Sequence, residues 1–188
     1  MATVTGAAVI LLFLTILSVA TTVVPSSPSP PSDLIRSSCL HATFPKVCVN
    51  TLTVYKGRAT TPRELAQAAI KISISRASKA SEFLSGLQKE ANKREMGAVK
   101  DCASQISDSV DDLRKTLGEL KQLRRGTFRW QMSNAETWVS AALTNEDTCI
   151  DGFKEIEGTV RSDVKKKVTN VAKVTSNALY LINRLDHP

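Results

Sequence analysis

Between Met96 and Leu120, the residues Met96, Val99, Ala103, Ile106, Val110, Leu113, Leu117 and Leu120 are separated by steps of 3, 4, 3, 4, 3, 4 and 3. This rhythm keeps one side of an α-helix apolar over seven turns. A lone helix has nowhere to bury such a stripe, so the pattern demands several helical partners. Asn92 and Glu95 precede it as a helix cap with its reciprocal carboxylate.

Three further segments meet the demand. Thr61, Pro62 and Glu64 open a helix whose inner face carries Leu65, Ala69, Ile72, Ala80, Phe83 and Leu87, flanked by Ile70, Ile74 and Leu84. Ser133 and Glu136 read as a second capping box, followed by Ala135, Trp138, Ala142, Cys149, Phe153 and Ile156 on one stripe, with Gly158 as the stop. The fourth segment starts near Ser162 and places Val164, Val168, Val171, Thr175, Ala178, Ile182 and Leu185 at steps of 4 and 3. Aromatics are scarce at 5%, and glycine numbers only 8, which favours packed helices over a sheet. The expected fold is all-α, an up-down-up-down four-helix bundle. Ahead of it, "LIRSSCLHATFPKVCVNTLTVY" reads as a short helical hairpin that turns at Phe44 and Pro45.

The 4 cysteines allow three pairings. In an antiparallel hairpin, residues equidistant from the turn lie level. Cys39 and Cys48 centre on the Phe44–Pro45 turn. Cys102 and Cys149 centre beside "RRG", the break between the second and third bundle helices. The other pairings have no turn at their midpoint. The expected disulfides are therefore Cys39–Cys48 and Cys102–Cys149, closing loops worth about 3 and about 4 kcal/mol in the chain-entropy account. A catalytic thiol is thereby excluded at Cys149.

The first 20 residues read as a secretory signal: an apolar run from Ala7 to Val19, then small residues at Ser18 and Ala20 suited to cleavage before Thr21. Residues 21–32 are a Pro/Ser-rich lead-in without core-forming residues, and 33–188 form the helical domain. No later apolar run is long enough to span a bilayer. Secretion fits the disulfides and places the mature chain outside the cell.

Charge narrows the function. The net charge is +7, yet basic stretches interleaved with aromatics are lacking, which speaks against nucleic acid. The basic balance suits retention on an anionic wall polysaccharide. The second bundle helix carries Asp101, Gln105, Asp108 and Asp112 at steps of 4, 3 and 4, with Asp111 alongside, on a face away from the apolar stripe. Glu146, Asp147 and Asp151 cluster around Cys149. The Cys102–Cys149 bond brings both acidic groups side by side as a stiff polar docking surface. GxSxG, HExxH and Gly-rich phosphate loops do not occur, and His41 and His187 lie at opposite ends, so no catalytic residue, metal ligand or cofactor is assigned.

Four stretches carry a resemblance: the C-x8-C pair at Cys39 and Cys48, "GAVKDCASQISDSVDDL" around Cys102, "WVSAALTNEDTCIDGF" around Cys149, and the tail "VTNVAKVTSNALYLINRL". Together they span about Ser32 to Leu185. The chain resembles the plant invertase and pectin methylesterase inhibitor family. The resemblance implies a four-helix bundle with an N-terminal hairpin, the same two disulfides and a secreted, non-enzymatic inhibitor of the apoplast. Invertase inhibitors of the family typically carry Pro-Lys-Phe just before the third bundle helix; here that place reads "GTFRWQMSNAETW", and "FPK" at Phe44 to Lys46 lies in the hairpin and in another order. The pectin methylesterase branch is therefore favoured, with invertase inhibition as the alternative and a small-ligand-binding bundle as a distant one. The family mechanism implies a one-to-one complex, with the last three bundle helices across the pectin-binding cleft. Residue by residue, Asp108 and Asp111 match the acidic positions after the helix cysteine, and Thr148 and Asp151 flank Cys149. These four are the expected partner contacts. Ser104 stands where many relatives carry a glutamate, and no contact is assigned there.

Overall fold

The computed structural model describes residues 31–186 except Lys56 and Glu90. The expected signal segment and residues 21–30 of the expected lead-in lie outside the described residues; the lead-in's last two residues, Pro31 and Ser32, instead open α1. Six helices follow in order: α1 (Pro31–Cys39), α2 (Pro45–Thr53), α3 (Pro62–Leu87), α4 (Lys93–Lys121), α5 (Phe128–Asp151) and α6 (Thr159–Asp186), with a 3-10 turn at Arg125–Thr127. The described residues contain no strand. The expected all-α bundle is what the chain forms.

The long helices pack as a ring. α3 meets α4, α4 meets α5, α5 meets α6, and α6 returns to α3. Val99, Ile106, Leu113 and Leu120 of α4, Met132, Ala135, Val139 and Ala142 of α5, and Val164, Val168 and Ile182 of α6 meet inside it. The 3-4 rhythm is thus spent on the bundle axis.

Both early capping boxes form. Thr61 accepts from the Glu64 backbone N–H and Glu64 accepts from that of Thr61; Asn92 and Glu95 repeat the exchange. The box expected at Ser133 does not start α5. That helix begins at Phe128, five residues earlier, and Ser133 is an exposed residue inside it. The cause is Gln131. Its Oε1 accepts from the Arg124 N–H (3.0 Å) and the Thr127 hydroxyl (2.9 Å), and its Nε2 donates to the Gln122 carbonyl (2.9 Å). One buried amide satisfies the corner and lets the helix begin there.

Two other boundaries move. α5 ends at Asp151, short of Gly158, although Phe153 and Ile156 stay buried in the turn that follows. Gly158 has φ +102°, a backbone setting that favours glycine. Its carbonyl accepts from the Ser162 N–H, so α6 starts at Thr159 rather than near Ser162.

The inner face of α3 also rotates. Of the expected positions Leu65, Ala69, Ile70, Ala80 and Leu84 are buried, joined by Ala66, Ala68, Ser73 and Ala77, whereas Ile72, Ile74, Phe83 and Leu87 are only partly buried. Small residues at the centre let α6 and α4 approach closely, and the bulky ones pack at the flanks. Ser73 is tolerated because its hydroxyl donates to the Ala69 carbonyl (3.1 Å).

The hairpin docks on one half of the α3–α6 seam. The Cys39–Cys48 bond joins its arms, with Cα atoms 5.7 Å apart. Asn177 on α6 grips its apex: Oδ1 accepts from the Phe44 N–H (2.9 Å) and Nδ2 donates to the Phe44 carbonyl (3.0 Å). Arg184 reaches the Ser37 and Ser38 carbonyls at 3.4 Å, meeting groups that α1 cannot satisfy internally.

Candidate partner-binding surface

The α4–α5 seam is ordered by a ladder of bonds. Cys102 is bonded to Cys149, with Cα atoms 4.3 Å apart. Ser109 donates to Glu146 (2.7 Å), Asn145 donates to Asp112 (3.3 Å), Thr116 donates to the Ala135 carbonyl (3.4 Å), and Asn134 donates to Glu119 (3.1 Å). The register is antiparallel and is held along most of the length of α5. A surface built on this seam has little freedom to rearrange.

All four expected contacts are exposed on it. Asp108 and Asp111 lie on α4, Thr148 and Asp151 on α5. Asp111 pairs with Arg114 (2.8 Å) and Asp151 with Lys154 (3.0 Å), both with side chains more than half exposed. Such pairs hold little stability and break readily for a better partner. The Thr148 hydroxyl donates to the Thr144 carbonyl (2.8 Å), and the side chain is exposed. Asp101, Asp108 and Asp147 are exposed without an ion pair within 4.0 Å among the described residues.

Two members of the expected acidic face are elsewhere. Asp112 is nearly buried and pairs with Lys115 (3.0 Å), whose ammonium lies 4.1 Å from the Trp138 ring centroid. Glu146 is 0% exposed. Its Oε1 accepts from Ser109 of α4 (2.7 Å) and Thr175 of α6 (2.9 Å); Oε2 has no partner among the described residues. Burial pushes this carboxyl up to about 7, against the two hydroxyl bonds that pull it down and with a smaller push from Asp147. The reason for the correction is helical phase. Glu146 falls four residues after Ala142 and three before Cys149, on the very stripe that faces the core. That spacing was available as a signal, and charge type masked it.

Trp130 is the exposed aromatic that the sequence reading passed over. It is 67% exposed in the first turn of α5. Placing the helix start at Ser133 hid it in a loop.

A family model described as plant invertase/pectin methylesterase inhibitor matches residues 33–181. The chain belongs to this family. It is 51% identical over 163 residues to Pectinesterase inhibitor 3 of Arabidopsis thaliana, covering 82% of this chain and 80% of that one. A second relative, the 21 kDa protein of Daucus carota, is 40% identical and is matched over 84% of this chain and 86% of its own. The fold is similar to the crystal structure of mutant form A of a pectin methylesterase inhibitor from Arabidopsis, with TM-score 0.66 at 20% identity, covering 77% of this chain and 92% of that one. As a member of an inhibitor family, the protein is not an enzyme. The stapled helical surface is the part of this inhibitor whose geometry is most tightly held.

Proposed function

We propose that the chain inhibits pectin methylesterase, and that it does so one-to-one by seating α4, α5 and α6 across the enzyme's pectin-binding cleft. The observation that carries this reading is the α4–α5 seam: exposed Asp108, Asp111, Thr148 and Asp151 stand on two helices locked by a disulfide and a ladder of side-chain bonds. A preorganised surface keeps the ordering cost of binding low. Its carboxylates are placed to read polar groups of a carbohydrate-binding groove, and they make affinity sensitive to acidity. The names of the similar Arabidopsis inhibitors support the choice of target. The two disulfides support an oxidising, extracellular setting in the cell wall, and no helix among the described residues is long and apolar enough to cross a membrane.

The test is a paired assay on the mature, oxidised protein. Methanol release from pectin by a purified plant pectin methylesterase is slowed, and sucrose cleavage by a cell-wall invertase is untouched. Inhibition of invertase alone reverses the choice of target. Inhibition that survives reduction of Cys102–Cys149 removes the stiff seam from the account.

A further inference from the structure

The hairpin covers only half of the α3–α6 seam. Its contacts run along the first part of α3 and the last part of α6: Cys48, Thr51 and Leu52 meet Ala69, Ile72, Val174, Asn177 and Leu181 around one crevice. The other half of the seam is an open groove of about 590 Å³. Arg76 and Lys79 of α3 line one wall, and Lys166 and Lys167 of α6 line the other. Ala80 and Val171, both buried, close the floor. Asp163 is the single acid among the lining residues.

Four cations face one acid here, Asp163, one turn before Lys166 and Lys167 on α6. None of the four has a carboxylate within 4.0 Å among the described residues; the ion pairs there are Arg114–Asp111, Lys115–Asp112 and Lys154–Asp151. Arg76 is also held in place, its guanidinium donating across the groove to Asn170 Oδ1. Burial pushes its pKa down from the ordinary value, so this cation carries a desolvation cost with no anion to offset it. Lys167 is anchored too, its ammonium 4.6 Å from the Phe83 ring centroid.

We infer that this groove binds a carboxylate-bearing galacturonan, with the acid groups on the four cations and the sugar rings over Ala80 and Val171. Arg76 and Lys79 are one helical turn apart, about 4.5 Å along the axis, the scale of one pyranose ring. A basic rim over an apolar floor suits a chain that alternates charge with ring faces. The choice of this polyanion rests on the esterase reading above: de-esterified pectin is the product of the enzyme being blocked. An inhibitor held on that product stays where the enzyme has been working. Uncharged, fully methyl-esterified pectin offers the cations nothing.

The experiment measures binding of the whole mature protein to polygalacturonate at low and at physiological salt, with no esterase present. The groove variant combines Arg76→Gln, Lys79→Gln, Lys166→Gln and Lys167→Gln. A control of equal charge combines Lys46→Gln, Lys89→Gln, Lys93→Gln and Lys121→Gln, all at exposed positions away from the groove. The expected result is at least a tenfold loss for the groove variant, less than a threefold loss for the control, and no binding of fully esterified pectin by either. Equal losses in both variants overturn the groove and leave only net charge. Equal binding of esterified pectin overturns the role of the carboxylates. Groove-dependent binding to phosphatidylserine vesicles without binding to polygalacturonate assigns the groove to lipid and overturns the inference. Methanol release is assayed separately on the wild-type protein, so loss of the galacturonan site and failure of esterase inhibition are read independently.

Discussion

Two seams on opposite sides of the ring solve the same packing problem differently. The α4–α5 seam is covalent and polar: one disulfide, a buried glutamate and four side-chain bonds fix its register. The α3–α6 seam is close-packed through Ala66, Ala77, Ala80 and Val171, is covered at one end by the hairpin and is left as a basic groove at the other. Directional bonds fix which residues face out and in what order. Small apolar residues fix only the distance between helices. The seam proposed to present the binding surface has the covalent link and most of the directional bonds; across the α3–α6 seam Arg76 donates to Asn170.

The largest way to break this contrast is to cut the covalent link. Cys102→Ala with Cys149→Ala removes a crosslink separated by 47 positions, and the loop-entropy account gives a loss of about 4 kcal/mol. Removing Cys39 and Cys48 in the same way loses about 3 kcal/mol. Urea midpoints of the two double variants test the order. Esterase inhibition should fall in the first variant and largely survive in the second. A first variant that matches the wild type in both readouts would show that the hydrogen-bonded ladder suffices.

Next in size is the buried carboxyl. The native value of Glu146 is about 7 against an ordinary 4.5, so the folded protein holds this proton more tightly than the unfolded chain. Stability from this group is constant below the ordinary value, falls as pH rises between the two values, and is flat above about 7. The span is about 3 kcal/mol from the size of the shift. At mildly acidic pH the group is neutral and its contribution to stability is at its largest. Urea unfolding from about pH 4.5 to 8 should show that decline in the wild type and lose most of it in Glu146→Gln. No other buried titratable side chain faces this site from α4 except Asp112, which already pairs with Lys115; from α6 the partner is the neutral Thr175. Identical slopes in the two proteins would place the pH response on the surface carboxylates.

Much of this was legible beforehand, and the reasons are specific. Met96 to Leu120 announced α4 because an unbroken 3-4 rhythm has one geometric solution. The disulfide pairing followed because each cysteine pair straddles a turn. The start of α5 was misplaced because Ser133 and Glu136 imitate a cap, and the true corner is satisfied by Gln131, whose three partners at Gln122, Arg124 and Thr127 meet only once the chain has turned. Glu146 was misread because charge type outweighed phase. The groove was invisible because Arg76 and Lys166 lie 90 positions apart, and only the packing of α3 on α6 brings them together. Local pattern reveals which helices exist; the side-chain bonds between distant helices are decided by the assembled ring.

The hairpin side offers a smaller test. Asn177→Ala removes both bonds to Phe44; the Phe44 N–H loses its partner while the carbonyl keeps the Cys48 N–H, a loss of about 2 kcal/mol. Amide exchange should rise in residues 31–53 while the α4 and α5 amides stay protected, because the hairpin rests mainly on α3 and α6. A uniform rise across all helices would mean that hairpin and bundle unfold together, and that the α3–α6 seam depends on its cover.

The smallest change in stability belongs to the surface proposed to bind the esterase. Asp108, Asp111, Thr148 and Asp151 are all exposed; their bonds are two short-range ion pairs and one hydroxyl contact within a single helix. Replacing all four by alanine should move the unfolding free energy by no more than about 1 kcal/mol, since exposed pairs of this kind contribute little. Alanine is also the better helix former at each position, which offsets part of the loss. The same variant should lose at least about tenfold in esterase inhibition, because polar groups on a rigid face lose their full partner energy when truncated. Large loss of inhibition at unchanged stability would locate recognition on the outer side of the α4–α5 seam. Unchanged inhibition would move recognition away from these four residues, toward the exposed Trp130 at the start of α5, and would leave the polar ladder as a device for stability alone.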